Sequence, residues 1–508
     1  MSKLRRYVVL PAYGFRGPAL AQSALLRAPG AAVRLSARPG LRGGASLDNA
    51  ATSIRVLDSI HEDGPKLVEM SPEAEFNLRA EIPGLKIVPV VTYKTMRAEQ
   101  HVRRPPKAEE AAQTVAMNAK IVDAATGAPL AGANLIAFTD FRNRIGDKGF
   151  SDASGVVSLP TISVGADLDR IYVYPPAGYW GHYSASQKAP SGTTIRLAAI
   201  DMTANTGLLA GFCGQMPANA GLGVKVAIVD SGVAKHHPAL PNVSGGANLI
   251  FDETRDDAGA VDDWGPAKTH GEHGTHVAGI VGGAALAGST FRGVAPAAEI
   301  RSYRAFPNNG GDAQNYDIAA AIARAIADGC HIINLSLGGG AEDEATRAGI
   351  GAALDAGVLV VAAAGNDYRK PVSFPAAVDA CVAVSAYGRS GTFPDDSVEA
   401  PEVVRPYGVD PKDFVAGFSN IGPQIDVVGP GVGIVSTLPE DKYGVMSGTS
   451  MACPAIVGFA AYLLSTRPEL KQATGAERAR LWKSALYGAG RPLGFGRDYE
   501  GSGLPRMS

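Results

Sequence analysis

The chain has 508 residues, a hydrophobic fraction of 46% and a formal net charge of -2. That much apolar material over such a length needs more than one core, about three at roughly 150 residues per domain. The near-neutral charge excludes an electrostatic case for nucleic acid or an anionic membrane surface as partner, and four cysteines (Cys213, Cys330, Cys381, Cys453) without a CxxC pair supply no metal framework.

No run of about 18 or more apolar residues is present, so no membrane span is expected. The opening MSKLRRYVVLPAYGFRG has a basic start, but Pro11 and Gly14 break its short apolar run. It makes a poor secretory signal, so synthesis in the cytoplasm is expected, and the final compartment stays unassigned, with export by another route left open. A first domain, 1–94, reads as a small α/β unit. Tyr7–Leu10 is a strand, Ala19–Leu26 a helix, and an Ala/Arg/Gly/Pro-rich loop runs to about Ala45. Strands Ile54–Ile60 and Lys66–Met70 join at Asp63-Gly64, a favourable turn pair. Ser71-Pro72 opens a helix with Ala74, Leu78 and Ile82 on one face, Pro83-Gly84 stops it, and Leu85–Val91 is the final strand. The order strand, helix, strand, strand, helix, strand is that of a ferredoxin-like α+β fold.

Residues 95–112 (MRAEQHVRRPPKAEEAAQ) are charged, aperiodic and contain a Pro-Pro pair, which reads as a linker with Arg103 and Arg104 in a solvated cluster. Residues 113–200 carry alternating strand patterns at 115–122, 133–138, 156–159, 171–174 and 194–197, separated by Gly, Asp and Ser turns. This is the pattern of a small antiparallel β-sandwich. Its phrases AATGAPLAGANLIAF and GFSDASGVVSLP resemble the carboxypeptidase regulatory-like (transthyretin-like) domains, which implies a folding or positioning module. Tyr179, Trp180 and Tyr183 read either as a binding surface or as buried packing.

In the last domain, 201–508, the pattern becomes α/β. Val224–Val229 is a near-continuous apolar strand, Ile318, Ile322 and Ile326 mark a helix, and Ile332, Ile333 and Leu335 a second strand. A helix at 345–356, strands at 358–364 and 381–386, and an irregular loop at 388–416 follow. The alternation makes a doubly wound parallel sheet, with active residues expected at the carboxyl ends of strands.

Three short stretches stand at such ends. In GVMSGTSMACP, Ser450 follows the small residues Ser447, Gly448 and Thr449 and precedes an apolar helix, which suits an N-cap and a nucleophile equally. VAIVDSGV places Asp230 at the end of a buried strand, where a carboxylate needs a partner, and HGEHGTHVAGI places His273 before a run of small residues. Acyl transfer at neutral pH needs such a nucleophile, base and orienting carboxylate. In the order Asp, His, Ser, with the serine in GTSMA and not in a G-x-S-x-G elbow, these motifs resemble the subtilisin-like (subtilase) serine peptidases over about residues 221–505.

The resemblance implies a subtilisin-like fold and a serine endopeptidase working through a covalent acyl-enzyme. Ser450 corresponds to the nucleophile, His273 to the general base and Asp230 to the orienting carboxylate. Asn366, in VAAAGND, corresponds to the oxyanion residue. It further implies that Ser336, Leu337 and Gly338 pair with an extended polypeptide substrate, with Gly310-Gly311 near the facing edge, and that Ala363, Ala364, Gly365 and Ser373 line a small, uncharged specificity pocket. His276 reads as a packed structural histidine, His270 as a loop residue, and the acidic residues from Asp252 to Asp263 as a solvated loop. No cofactor is expected. Ala239 and Leu240 follow His237-Pro238 where many subtilases place a calcium-binding aspartate, and GGAALAGSTFRG replaces the often Asn-rich calcium loop. Ala455 stands where the serine helix often has histidine. Finally, KLVEMSPE and PGLKIVPV resemble the inhibitory propeptide of subtilases, which implies a precursor inhibited by its own N-terminal domain, with Tyr93–Arg104 presented to Ser450 and cut in cis. A catalytically silent protein-binding module is the alternative, and a hydrolase of small acyl substrates a third reading.

Overall fold

The computed structural model describes residues 4–11, 32–34, 53–82, 84–105, 115–204, 207–214 and 216–507. Strands β1 (Arg5–Leu10), β2 (Ala32–Arg34), β3 (Ser53–Ser59), β4 (Lys66–Met70) and β5 (Lys86–Pro89) form an antiparallel sheet in the order β2-β3-β4-β1-β5. Helix α1 (Pro72–Glu81) starts at Ser71, whose hydroxyl oxygen accepts from the Ala74 N–H at 3.2 Å, with proline in the first turn, where no N–H is needed. Ala74 and Leu78 pack on Tyr7, Val9 and Val68, while Val8, Leu10 and Leu67 on the other face bury against Phe251, Tyr316 and Ala319. The sheet is therefore a layer clamped between its own helix and the C-terminal domain. The helix expected at Ala19–Leu26 lies outside the described residues.

The expected final strand, Leu85–Val91, is observed as β5 alone, and a further short strand that was not read follows it. β5 ends at Pro89, and β6 (Thr92–Thr95) leaves the N-terminal sheet to pair elsewhere. Next come β7 (Ala116–Asp123), β8 (Asn134–Asp140), β9 (Ile145–Phe150), β10 (Val156–Ser163), β11 (Asp167–Tyr174), β12 (His182–Lys188) and β13 (Ser191–Leu197). They make two facing sheets, β10-β7-β13 and β12-β11-β8-β9, around Met117, Ile121, Leu135, Leu159 and Ile171. Two points depart from the sequence reading. β13 runs parallel to β7, so the arrangement is not purely antiparallel, and β9 and β12 were not read because IGDKGF and HYSASQK lack apolar alternation.

The C-terminal domain is built on β14 (Lys225–Asp230), β15 (Val243–Asn248), α2 (Glu272–Gly282), β16 (Glu299–Arg304), β17 (Ala313–Gln314), α3 (Asn315–Ala327), β18 (Ile332–Leu335), β19 (Leu337–Gly338), α4 (Glu344–Asp355), β20 (Leu359–Ala363), β21 (Cys381–Arg389), β22 (Asp413–Val415), β23 (Val427–Pro430), β24 (Ile434–Leu438), β25 (Lys442–Met446) and α5 (Thr449–Thr466). The central sheet runs β15-β16-β14-β18-β20-β21-β22, with β23 beside β21, and is parallel except for β22. Val226 and Ile228 join the layer of α2 and α5, while Ala227 and Val229 join that of α3 and α4. Burial on both faces is why β14 reads as a continuous apolar run. Helix α5 is long and apolar enough to cross a bilayer by length and mean composition, although Thr, Ser and Pro interrupt its apolar residues, and 83% of it is buried inside the protein. Its composition reflects a central core helix.

Candidate active site

Asp230 ends β14 and is fully buried. Its carboxylate accepts from His273 Nδ1 at 2.8 and 2.9 Å and from the Ser231 N–H at 2.6 Å. A carboxylate can only accept, so Nδ1 carries the proton and Nε2 is left as the basic nitrogen. His273 lies in the first turn of α2, and Gly274 beside it has no space for a side chain: a Cβ there would lie 2.4 Å from the Gly232 carbonyl. His273 Nε2 is buried and has no hydrogen-bond partner. A basic nitrogen held by a carboxylate and left unpaired in a cleft is equipped to accept a proton.

Ser450 stands in the first turn of α5, capped by Gly448 at φ 156°. Pro454 lacks the N–H that would bind the Ser450 carbonyl four residues back, and Ser336 Oγ donates to that carbonyl instead, at 3.0 Å. Asn334 Nδ2 in turn donates to Ser336 Oγ at 2.9 Å. This chain of bonds ties the serine turn to the end of β18. Ser450 Oγ donates to the Ser336 carbonyl at 2.9 Å. The Asn366 side-chain carbonyl accepts from Thr449 N and Oγ1 at 3.0 and 2.9 Å, which turns Nδ2, buried and unpartnered, toward the serine turn.

The cleft is filled by the chain itself. β6 lies between β17 and β19, antiparallel to both, with Thr95 opposite Leu337, Lys94 opposite Gly338 and Tyr93 opposite Ala313. The facing edge is thus Ala313–Gln314, three residues past the expected Gly310-Gly311, because those glycines border a side cleft next to His273. Met96 donates its N–H to the Ser336 carbonyl at 3.1 Å, and its own carbonyl accepts from the Ser450 N–H at 3.1 Å. A Cβ on Gly448 would lie 2.3 Å from that Met96 oxygen and 3.2 Å from Asn366 Nδ2. The Met96 carbonyl therefore accepts from the Ser450 N–H, and Asn366 Nδ2 borders the same Gly448 turn without a partner. The Met96 methyl lies against Gly338 and Gly339, where added Cβ atoms would be 3.0 and 3.1 Å from it, and Ser373 Oγ borders the same space. Ser373 Oγ donates to the Ala364 carbonyl at 3.0 Å, and Gly365 N–H donates to Thr449 Oγ1 at 3.2 Å, which ties this wall to the serine turn; Ala363 is buried in the adjoining strand.

Past Met96, residues 97–105 were expected in a solvated linker, but they cross the cleft to the β-sandwich. Ala98 N–H donates to the Ser447 carbonyl at 2.8 Å, Arg97 pairs with Glu272 at 3.2 Å, and Gln100 N–H donates to Tyr174 Oη at 2.8 Å. Arg104 pairs with Asp147, fully buried, at 2.6 Å. Gln100 is buried because it finds fixed partners, while His101, Arg103 and Arg104 stay exposed, as the solvated cluster at Arg103 and Arg104 implied.

The subtilase family model matches residues 221–503. The chain belongs to the subtilase family. It is 35% identical over 272 residues to subtilisin NAT of Bacillus subtilis subsp. natto, covering 53% of this chain and 61% of that one. A subtilisin of Bacillus pumilus is 35% identical over 272 residues, or 85% of its length. The thermostable alkaline protease of Halalkalibacterium halodurans is 34% identical over 276 residues, 53% of this chain and 66% of that protein. The chain thus spans about three fifths of the length of subtilisin NAT.

Other residues take structural places in this subtilase. His276 is fully buried, its Nε2 donates to the Ile434 and Gly444 carbonyls at 3.0 and 3.2 Å, and burial pushes its pKa down to about 3. In the acidic loop, Asp252 pairs with Arg6 at 2.7 Å, and Glu253 and Asp263 pair with the buried Arg304 at 2.8 and 3.2 Å, so three of its carboxylates are partnered and not simply solvated. Trp180 packs against the core of the C-terminal domain, and Tyr179 donates to Asp123 at 2.9 Å. Sequence reasoning missed Asp343, which takes the Tyr93 hydroxyl, and Glu399 beneath Ser447. Neither lies in a recognisable motif, and only the folded cleft brings them to β6 and its continuation.

Proposed function

We propose that this subtilase is a serine endopeptidase made as a self-inhibited precursor, with Ser450 as nucleophile, His273 as general base and Asp230 as its orienting carboxylate. The Met96 carbonyl, beside the Ser450 N–H and Asn366, is the observation that carries the reading. In the first step Ser450 Oγ turns from the Ser336 carbonyl, gives its proton to His273 Nε2 and attacks the Met96 carbonyl carbon. The oxygen gains negative charge between the Ser450 N–H and Asn366 Nδ2. Loss of one such donor in subtilisin, a relative, costs about 10²–10³ in kcat. The imidazolium, held by Asp230, then protonates the leaving Arg97 nitrogen. An ester between Met96 and Ser450 remains, and water hydrolyses it by the same proton route in reverse.

By this reading 1–94 is a ferredoxin-like inhibitory propeptide, 113–200 a transthyretin-like sandwich and 201–508 the peptidase. Main-chain pairing with β17 and β19 suits an extended polypeptide of varied sequence. The small, uncharged wall of Gly338, Gly339, Ala363, Ala364, Gly365 and Ser373 suits an apolar residue such as methionine before the cut. No cofactor enters the scheme. The serine hydroxyl resting on Ser336 is the feature that suits the alternative, a silent module holding its own strand. Intact-mass measurement of wild-type and Ser450→Ala protein separates the two. Wild-type protein is expected as fragments ending at Met96 and starting at Arg97, and the variant as a single full-length chain. Full-length wild type under the same conditions refutes the proposal.

A further inference from the structure

Beneath the segment that follows Met96 is a cavity of about 220 Å³, walled on one side by Tyr174–Ala177 of the β-sandwich and on the other by Glu399, Glu402 and Ser447. Ala98, two residues past the Met96 carbonyl, borders it and leaves it unfilled. Glu399 is 2% exposed. One of its carboxylate oxygens accepts from Ser447 Oγ at 3.1 Å, and the other is buried with no partner. Ser447 also accepts the Ala98 N–H through its carbonyl at 2.8 Å, so one residue joins the backbone of position 98 to the Glu399 carboxylate. Glu402, 6% exposed, accepts from the Phe418 N–H at 2.9 Å. The nearest cation of the segment, Arg97, is occupied by Glu99 and Glu272 at 2.6 and 3.2 Å.

A buried carboxylate with an unpaired oxygen is costly unless something neutralises it. Burial holds the Glu399 carboxyl above its usual range, and burial likewise raises that of Glu402 to about 7. Both effects come from burial, and for Glu402 the rise stands although Arg369 and Arg170 act to lower it. A lysine or arginine stem is apolar along its length and carries its charge at the tip, which matches a cavity lined both by Leu438 and Val398 and by carboxylates.

We propose that this cavity is a subsite for the cationic side chain of a lysine or arginine two residues after the scissile bond, with Glu399 as the residue that selects it and the β-sandwich as one side of its wall. The sandwich thereby shapes specificity on the leaving side of the cleft, and Ala98 marks the precursor's own strand as a poor match there. This inference rests on the endopeptidase reading for its catalytic consequence, though not for the binding of the cation.

Two measurements test it. Processed enzyme is given peptides VTYKTMRXEQ, with X as lysine, arginine, norleucine or glutamate. Lysine and arginine are expected to exceed norleucine in kcat/KM by about tenfold or more, with the ratio falling toward one in Glu399→Gln. In parallel, full-length Ser450→Ala protein carries Ala98→Lys or Ala98→Met, each with and without Glu399→Gln, and thermal midpoints are compared. Lysine is expected to stand about 2 °C or more above methionine, with the difference lost in the Glu399→Gln background. If the peptides are cut, their profile decides, and one that is flat or favours norleucine overturns the subsite. If no peptide is cut, the endopeptidase reading fails and the midpoints decide. Lysine coupled to Glu399 then keeps the cation site, and equal midpoints overturn it.

Discussion

Tyr93 lies three residues before Met96, fully buried, with its ring 5.8 Å from that of Phe374. Its hydroxyl meets the Ala341 carbonyl at 2.6 Å and Asp343 Oδ2. Asp343 is otherwise committed through Oδ1, which caps α4 by accepting from the Thr346 N–H at 2.9 Å and also accepts from Asn315 Nδ2 at 3.2 Å. Burial and the neighbouring carboxylate hold the Tyr93 phenol well above its ordinary range, so it remains a donor. A phenylalanine here keeps the ring and removes the donor, leaving one carboxylate oxygen buried and unpaired. A hydrogen bond to a charged group contributes about 1.5–3 kcal/mol, or about 10- to 150-fold in binding. Water reaching Asp343 in the empty pocket pulls the result toward the lower figure. Peptides spanning 90–100 with tyrosine or phenylalanine at position 93 are compared by kcat/KM on processed enzyme. The tyrosine peptide is expected to lead by at least about tenfold. Equal values refute the reasoning, since they mean that the pocket selects the ring and ignores the hydroxyl.

Gly448→Ala places a methyl group where the Met96 oxygen lies, 2.3 Å away, so the full-length chain should persist by intact mass while far-ultraviolet circular dichroism stays native. Fragments ending at Met96 in that variant count against the assigned position of the cut. Asp317, in α3 below the N-terminal sheet, has its pKa raised to about 8 by burial, although its carboxylate accepts from the Phe251 N–H at 3.1 Å. The folded chain then holds a proton that the unfolded chain releases near pH 4, so this group costs stability progressively from about pH 4 to pH 8. Asp317→Asn keeps the acceptor and removes the charge, so its thermal midpoint relative to wild type should climb between pH 5 and pH 9, in Ser450→Ala protein to prevent cleavage. A difference independent of pH sinks the assignment.

The parallel sheet was legible because its strands are buried on both faces and because Asp230, His273 and Ser450 stand in short motifs at strand or helix ends. Contacts between distant parts of the chain were not. Nothing local announces that Pro454 frees the Ser450 carbonyl for Ser336, or that Asp343 closes around Tyr93. The two unread strands of the sandwich, β9 and β12, are polar because edge strands with one wet face need few apolar residues. Helix α5 was read as an apolar helix after Ser450, and its burial on every side is what composition alone does not distinguish from a membrane-crossing helix.

The segment after β6 is the sharpest case. MRAEQHVRR is charged and aperiodic, which by composition means solvent. In the fold it joins three bodies. Tyr93 and Met96 are held by the C-terminal domain, Gln100 reaches Tyr174 of the sandwich and Tyr368 of the C-terminal domain at 2.8 and 2.6 Å, and Arg104 reaches Asp147. The sandwich itself is fixed beside the cleft, where Tyr183 N–H donates to the Asp396 carbonyl at 2.6 Å and Gly178 N–H to that of Tyr443 at 2.8 Å. A domain inserted between β6 and the cleft it fills looks from the sequence like an obstacle to the proposed presentation in cis. Its docking on the leaving side removes the obstacle, because residues 97–104 need only cross from the cleft to the neighbouring wall. The same geometry means that a cut after Met96 leaves Arg97–Arg104 tied to the sandwich by the bonds that held it before. Under the proposed precursor reading, release of the N-terminal domain would clear the β17–β19 side of the cleft first, and the leaving side would open only when the Gln100 and Arg104 contacts give way.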